Sequence, residues 1–449
     1  MGLGNIVESL TVRDQATGEL KPHLATGWEQ TGELTWRFHL REGVKFHDGS
    51  DFDAAAAKLA IDRSMNPDLT CSTRTKYFGD KTLDVSVVDD HTIDITTEAP
   101  EPILPLVMTT HVMYVIDSVD AGFVREPVGT GPYRLAEWPA GQHILLERFD
   151  DYWGEAPEVA EGRIVWRTES SVRAAMVRQG EADLAPIISP QDVTPEIGVA
   201  YPNSETTRLN LDLLMSPMDD IRIRAAINFA IDREMLKVTL GPDVIIATQM
   251  FVPQISGYNP ETKVWPYDPE QARALIEDAR ADGVPVDTEI EFVGRIGHFP
   301  GVAELQEAVH AMLLDVGLNV RLQWYEAAQK NAMQTKPFAE GRPPQIFVDQ
   351  HDNNKGDAVF TVAAKYRSDA GQSRTVDPYL DYLIDYASEQ PQGEERVAAW
   401  HRAMDRVEAI IPDAMLYHMV GYAAVGERIE YVPTLATTNE VHLSDISFR

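Results

Sequence analysis

Residues 268–324 alternate between helix and strand patterns, and this alternation constrains the fold more than any other feature of the sequence. Residues 268–270, Asp-Pro-Glu, place a capping side chain before a proline, which is typical of a helix start. A strand pattern over 289–293, a helix pattern over 302–316 and a second strand pattern over 319–324 follow. Strands that alternate with helices in this way predict an α/β domain with a largely parallel sheet.

The rest of the chain also carries helix and strand patterns. Asp51 or Asp53 can cap an alanine-rich helix, and Asp220 can cap a long helix with one apolar stripe. Residues 394–411 predict a further helix, and residues 414–422 predict a strand.

The chain is strongly acidic, with 39 basic and 71 acidic residues among 449 and a formal net charge of −32. Such a surface repels phosphate backbones, so we exclude nucleic acid as a partner. Cys71 is the only cysteine, which excludes an intrachain disulfide and a thiolate metal cluster, and we expect a buried apolar side chain there. No stretch approaches the ~20 apolar residues that a membrane-spanning helix requires.

Short motifs follow one another along nearly the whole chain. They lie at 18–29 (GELKPHLATGWE), 36–49 (WRFHLREGVKFHDG), 129–133 (GTGPY), 146–154 (LERFDDYWG), 179–183 (QGEAD), 220–233 (DIRIRAAINFAIDR), 257–260 (GYNP) and 267–272 (YDPEQA). In this order they resemble the bacterial extracellular solute-binding proteins, family 5, the oligopeptide-, dipeptide- and nickel-binding components of ABC importers. The alanine run after Asp53 departs from the family's Ala-x-Asp-Val pattern.

The resemblance implies an α/β fold of the periplasmic binding protein type, cluster C, in which two lobes with mixed sheets are joined by a hinge and a small α+β domain is added. It assigns residues 1–126 to the small domain, 127–213 with 425–449 to the main lobe, and 214–424 to the second lobe. It also implies a periplasmic monomer that needs no cofactor and delivers a small molecule or peptide to ABC permease subunits in the inner membrane. Family members begin with a signal peptide and a further mature segment, so we expect the natural start to lie upstream of Met1.

The loop after a predicted strand at 345–348 is the first candidate ligand contact, because α/β sheets bind ligands at the carboxyl ends of their strands. The resemblance implies that Asp357, in this loop, pairs with the ammonium group of a peptide ligand. Asn354 lies in the same loop. On this hypothesis, Asp357→Asn weakens binding of an ammonium-bearing ligand by about tenfold or more.

A second candidate contact is the glycine-rich loop that begins after the strand at 289–293. Arg295 can bind a carboxylate through two hydrogen bonds, and His298 lies in the same loop. Tyr77 is expected in the small-domain wall that faces the ligand. No residue is predicted to be catalytic or to bind a metal.

Alternative functions stay open at this point. Nickel or a nickel chelate, an opine or an oligosaccharide would be a ligand within the same family, and His351 or His298 could then ligate a metal. A receptor that signals to a membrane partner and a secreted hydrolase are further alternatives. The histidines lack HExxH spacing and no pair of carboxylates is singled out, so we predict a binding protein that closes about a hinge and not an enzyme.

Overall fold

The computed structural model describes residues 3–14, 17–69, 74–78, 81–120, 122, 124–241, 243–434 and 440–449. Cys71 therefore lies outside the described residues. The chain forms two compact units: unit 1 comprises Met1–Pro202 and Gly421–Arg449, and unit 2 comprises Asn203–Val420. The chain passes from one unit to the other twice, and each passage lies within a long strand.

Unit 1 begins with short strands, followed by an antiparallel sheet of order β4-β5-β7-β6. The short strands are β1 (Glu8–Ser9), β2 (Thr11–Arg13) and β3 (Leu20–Pro22). The sheet and the helix that contacts it are β4 (Ala25–Gln30), β5 (Thr35–Leu40), α1 (Ala54–Met65), β6 (Leu83–Asp89) and β7 (Thr92–Thr97). Asp53 caps α1 by accepting a hydrogen bond from the backbone N–H of Ala56 at 2.8 Å, which confirms one of the two predicted caps.

The remainder of unit 1 before the first passage consists of short elements. They are α2 (Leu104–Val107), β8 (Val112–Met113), β9 (Tyr133–Glu137), β10 (Ile144–Arg148), β11 (Glu161–Ile164), α3 (Ser170–Arg178) and β12 (Leu184–Ala185). Strands β9, β10 and β11 form an antiparallel sheet with β10 in the middle.

The two glycines of the GTGPY motif lie directly against the backbone near the amino terminus. A Cβ atom at Gly129 would lie 2.0 Å from the carbonyl oxygen of Ile6, and one at Gly131 would lie 2.6 Å from that of Asn5. The N–H of Gly131 donates to Ile6 O at 2.9 Å. Close backbone approach is therefore the reason that this motif requires glycine.

Glu8 is a buried carboxylate at the centre of a hydrogen-bond network in unit 1. Thr130 Oγ1 and Tyr152 Oη each donate to it at 2.8 Å, and Trp153 Nε1 donates at 2.9 Å. His23 Nε2 lies 3.1 Å from Glu8 Oε1. Burial opposes the charged form, but the hydrogen bonds from His23, Trp153 and Thr130 outweigh burial and hold the pKa of Glu8 below its ordinary value. Three of the sequence motifs thus meet at one carboxylate and have an architectural role.

Glu8→Gln is expected to lower the free energy of unfolding by about 2 kcal/mol, because hydrogen bonds to a charged group contribute about 1.5–3 kcal/mol. Since the folded pKa lies below the unfolded value of 4.5, this stabilisation is present above pH 4.5 and is lost as pH falls through the folded pKa. Urea unfolding at neutral and at acidic pH measures both effects. The exposed Glu19→Gln is the matched control, and a Glu8→Gln protein as stable as wild type at neutral pH would contradict the expectation.

Unit 2 is built on a larger sheet in which β18, β13, β17, β15 and β16 are neighbours in that order, and β14 also pairs with β18. The last residues of β18, Ala424 and Val425, lie in unit 1 and pair there with β12. The strands of the larger sheet are β13 (Gly198–Leu211), β14 (Ile245–Ile246), β15 (Ile290–Arg295), β16 (Val320–Tyr325), β17 (Gln345–Asp352) and β18 (Asp413–Val425). Its helices are α4 (Ile221–Ala230), α5 (Arg233–Leu240), α6 (Pro269–Ala281), α7 (Val302–Asp315), α8 (Ala327–Gln334), α9 (Val359–Tyr366), α10 (Pro378–Glu389) and α11 (Glu394–Ile410).

The predicted parallel pairing is confirmed for the strands that alternate with helices. Strand β15 pairs in parallel with both β16 and β17. Strand β13 pairs antiparallel with β17, so the sheet as a whole is mixed. Asp220 and Asp268 cap α4 and α6 as predicted, accepting from Arg222 N at 2.8 Å and Gln271 N at 2.9 Å.

The apolar stripe of α4 forms part of the core of unit 2. Ile223 and Ile227 are fully buried and belong to one cluster with Phe292 of β15 and Val309 of α7. Burial of this stripe explains why the spacing of three and four residues was a reliable helix signal.

The chain returns to unit 1 through β18 and ends with β19 (Ile429–Glu430) and β20 (Ser447–Phe448). The returning segment contributes to the hydrophobic core of unit 1, since Ile429 and Tyr431 cluster with Ile6, Tyr133 and Leu146. Within the described ranges, no helix is both long enough and apolar enough to cross a bilayer.

Candidate functional site

The carboxyl ends of β15, β16 and β17 lie at one edge of the sheet in unit 2, because these strands are parallel neighbours. Strand β17 extends to Asp352, four residues beyond the predicted strand, since Glu205 of β13 pairs with Asp352. Glu205 comes directly after the segment in which the chain leaves unit 1. Ligands of α/β sheets bind at such carboxyl edges.

A row of alternating charges runs across the sheet near this edge. Arg208 of β13 is the cross-strand partner of Asp349 of β17, and its Nη2 lies 3.1 Å from Asp349 Oδ2. Arg295 and Asp349 each lie two residues beyond the paired Val293 and Phe347, so their side chains extend from the same face. The row is extended on the other side by Asp413 of β18, which accepts from Arg208 Nη1 at 2.8 Å.

Two buried lysines on helices add to this row. Lys365 of α9 places its Nζ 3.3 Å from Asp349 Oδ2, and Lys330 of α8 places its Nζ 3.9 Å from Asp349 Oδ1. We call the six charged side chains the basic cluster: Arg208, Arg295, Lys330, Lys365, Asp349 and Asp413. Its four cations exceed its two carboxylates, whereas the whole chain has a formal net charge of −32.

Polar groups at the solvent end of the basic cluster lack close hydrogen-bond partners among the described residues. Arg295 Nε and His298 Nδ1 are buried atoms without a hydrogen-bond partner in the described part of the chain. Both side chains are otherwise half-buried, so this end of the cluster reaches solvent. Lys330 is 2% exposed, and 3.9 Å to Asp349 is too long for a hydrogen bond. Because buried donors are normally paired, this set of donors is suited to an anion.

The charges of the basic cluster shift the pKa values of its members and of His298. Burial and the charges of Lys330 and Arg295 lower the pKa of His298 to about 4, so its imidazole is neutral at neutral pH. Burial lowers the pKa of Lys330 to about 8; the attraction of Asp349 opposes this shift, and the charges of Lys365 and Arg295 add to it. Burial opposes the charge of Asp349, but Lys365, Arg208 and Lys330 hold its pKa well below the ordinary value. At neutral pH the cluster therefore keeps its positive excess.

Asp357 is fully buried and its carboxylate is occupied by a cation of the protein itself. Arg396 Nε donates to Asp357 Oδ2 at 2.7 Å, and Arg396 Nη2 donates to Oδ1 at 2.9 Å. Oδ1 also accepts from the backbone N–H of Val359 at 2.9 Å, where α9 begins. This geometry favours a structural role for Asp357, and its role as a ligand anchor stays a prediction.

The remaining candidates lie in different places. Asn354 is half-buried in the loop after β17, at the same sheet edge as Arg295 and His298. Tyr77 belongs to unit 1, where it lies half-buried in a π-helical turn over Arg74–Phe78 with its ring 4.9 Å from that of Phe78. The structure thus brings Arg295 and His298 together and places Tyr77 in the other unit.

The described residues hold no group of three or more His, Cys, Asp or Glu side chains arranged to bind a metal ion. His351 Nε2, a candidate ligand under the nickel alternative, is 2.9 Å from Thr361 Oγ1.

Five members of the basic cluster were not among the candidates from the sequence: Arg208, Lys330, Lys365, Asp349 and Asp413. Asp349 did carry a signal, because it directly follows the apolar run Ile346, Phe347 and Val348 of the predicted strand. Arg208 and Asp413 carried no such signal, since Arg208 lies in a strand segment rich in polar residues and Asp413 precedes the predicted strand at 414–422. Lys330 and Lys365 carried none, since a lysine on a short helix is normally exposed.

A model of the bacterial extracellular solute-binding proteins, family 5 (middle), matches residues 19–370. The glutathione-binding protein GsiB of Salmonella paratyphi A is 31% identical over 368 residues, covering 78% of this chain and 70% of that protein. The dipeptide-binding protein of Escherichia coli K12 is 25% identical over 460 residues, covering 92% and 84%.

Solved structures with the same fold cover nearly the whole chain. The periplasmic binding protein DppA of Helicobacter pylori, in complex with the peptide STSA, has a TM-score of 0.84 at 21% identity and covers 99% of this chain and 92% of that one. NikZ of Campylobacter jejuni, in complex with Ni(L-His), has a TM-score of 0.81 at 20% identity and covers 99% and 94%. These likenesses confirm the predicted fold class.

Proposed function

The chain belongs to the bacterial extracellular solute-binding proteins, family 5, the solute-binding components of ABC importers, and from this we propose that it captures a peptide by its carboxylate and hands it to a membrane permease. In this proposal the protein is a periplasmic monomer that releases its ligand chemically unchanged. The predicted division into a small domain at 1–126, a main lobe and a second lobe is part of this proposal.

One observation carries the choice of ligand: Arg295 Nε, a donor, and the ring nitrogen His298 Nδ1 are buried at the carboxyl edge of the sheet and have no hydrogen-bond partner among the described residues. A carboxylate accepts from Arg295 in a well-defined planar geometry, and it also accepts from His298 in the tautomer that carries its proton on Nδ1. Peptides bear such a group, and similar proteins are named for glutathione and dipeptides. An uncharged oligosaccharide would leave the positive excess of the basic cluster without a counter-charge.

Hinge closure is the proposed mechanism of capture. Strands β13 and β18 carry the chain between the units, and few residues need to change conformation when two units joined in this way rotate. The ligand shifts an existing open–closed equilibrium by its higher affinity for the closed state. No activated nucleophile is needed for this cycle.

Calorimetric titration with a small ligand panel tests the proposal. The panel contains glutathione, a dipeptide, the same dipeptide as its C-terminal amide, Ni(II)–histidine and a neutral oligosaccharide. We expect a free peptide to bind with a Kd of about 1 μM or tighter, and the amide to bind about tenfold more weakly or worse, because it lacks the charge.

Mass spectrometry of the panel after the titration supplies the control for catalysis. Recovery of intact peptide is expected. Preference for Ni(II)–histidine or the oligosaccharide over every peptide, or cleavage of the bound peptide, would overturn the proposal.

A further inference from the structure

The two carboxylates of the basic cluster make short contacts with two of its four cations, Arg208 and Lys365. Asp413 accepts twice from Arg208 Nη1 at 2.8 Å, and Asp349 Oδ2 lies 3.1 Å from Arg208 Nη2 and 3.3 Å from Lys365 Nζ. Lys365 also donates to Gln372 Oε1 at 2.7 Å. Arg208 and Lys365 are therefore well satisfied within the protein.

Lys330 makes fewer and longer polar contacts than these two cations. Its side chain is 3% exposed, against 1% for Arg208 and 8% for Lys365, but its salt bridge to Asp349 spans 3.9 Å and reaches Oδ1, which neither Arg208 nor Lys365 contacts. Gln334, one turn further along α8, donates to that same oxygen at 3.4 Å. A buried ammonium held by one long contact is costly unless an anion completes its surroundings.

The elements that carry Lys330 and Arg295 are in contact at the carboxyl edge of the sheet. Each of the two cations opposes the protonation of His298, and Arg295 opposes the charge of Lys330. Arg295 is the last residue of β15 and pairs with Tyr325 at the end of β16. Helix α8 begins two residues after Tyr325. One monocarboxylate at Arg295 would still leave the cluster with an excess positive charge.

We infer that Lys330 is a second cation of the ligand site and that the solute presents a dicarboxylate end, one carboxylate to Arg295 and one to Lys330. This rests on the proposed function and names the substrate class: peptides with an acidic carboxyl-terminal residue are preferred to peptides with a neutral one. His298, neutral at this site, supplies a hydrogen bond and adds no charge.

Two nearly isosteric dipeptides test the inference. L-Ala-L-Glu carries two carboxylates on its last residue, and L-Ala-L-Gln carries one carboxylate and one amide. We expect the wild-type chain to prefer L-Ala-L-Glu by about tenfold or more, since a hydrogen bond to a charged group is worth about 1.5–3 kcal/mol. Lys330→Met is expected to abolish the preference, and Lys330→Arg to retain most of it.

The matched control is Lys263→Met, which removes an exposed lysine of unit 2 and is expected to keep the preference. Thermal unfolding of each variant shows that the fold is intact, and if Lys330→Met fails to fold, Lys330→Gln replaces it. Equal affinity of wild type for both peptides, no binding of L-Ala-L-Glu, or an undiminished preference in the Lys330 variant overturns the inference. The proposed function survives equal binding of both peptides, because the wider ligand panel tests it separately.

The pH dependence of the affinity for the two dipeptides provides a second readout. The charged groups around Lys330 are Arg208 of β13, Arg295 of β15, Asp349 of β17 and Lys365 of α9, and the pKa of Lys330 lies at about 8. Because the second carboxylate binds the protonated amine, the affinity for L-Ala-L-Glu should fall toward that for L-Ala-L-Gln, at most about tenfold per pH unit, as pH rises above this pKa. The affinity for L-Ala-L-Gln should change much less, and an L-Ala-L-Glu affinity that is flat across this range contradicts the assignment.

Discussion

Asp357→Asn is expected to lower the free energy of unfolding of unit 2 by about 3–5 kcal/mol, because removal of one partner of a buried ion pair leaves an uncompensated charge. The partner is Arg396, and both side chains are fully buried. Its Nη1 also donates to the carbonyl oxygens of Ala387, Ser388 and Gln390, so the pair fastens the loop after β17 to the connection between α10 and α11. Urea unfolding followed by fluorescence measures the loss.

The matched control is Asp287→Asn, because Asp287 forms an equally short pair with Arg280 at the surface. That substitution should change stability by less than about 1 kcal/mol. The double variant Asp357→Leu/Arg396→Met should recover much of the stability lost in the single variant. If Asp357→Asn is as stable as wild type but loses affinity for an ammonium-bearing peptide, the ligand-anchor hypothesis is right and the structural role is wrong.

Arg295→Met is expected to weaken peptide binding by at least about thirtyfold, since truncating one partner of a buried, hydrogen-bonded charge pair costs about 2–5 kcal/mol. Stability should change little or rise, because Arg295 Nε is a buried donor without an acceptor in the described part of the chain. Calorimetric titration of the peptide panel measures the loss of affinity, and thermal unfolding measures stability.

The matched control for Arg295→Met is Arg321→Met on the neighbouring β16. Arg321 is exposed and pairs with Glu289 at 2.7 Å near the start of β16, so its removal takes away an arginine of the same sheet without touching the basic cluster. Unchanged affinity in Arg295→Met, or an equal loss in Arg321→Met, would show that the carboxylate is bound elsewhere.

Local signals predicted much of unit 2 correctly. A capping side chain and a proline mark the start of α6, and an apolar stripe marks α4; both depend on contacts within one or two turns of helix. Strand β15 was predictable because a buried parallel strand reads as a largely apolar segment between helices, and β16, at the edge of the sheet, because apolar and polar residues alternate in it. The family resemblance added the overall architecture that such local signals cannot supply.

The chemistry of the site depends on partners that are distant in sequence, and this is why it was predicted only in part. Arg295 and His298 were found because they follow a strand of an α/β unit. The occupation of Asp357 by Arg396, 39 residues further along the chain, has no local signature. Lys330 also has no local sequence signal, because its side chain lies beside Asp349 only once α8 has folded against the sheet.

The most direct test of the central claim is native mass spectrometry of the protein isolated from its own cells, followed by identification of the released ligand. The account predicts a small peptide with a free carboxylate, chemically intact and held with one-to-one stoichiometry. A bound solute without any acidic group, or a product that the protein itself has made from a larger precursor, would contradict it.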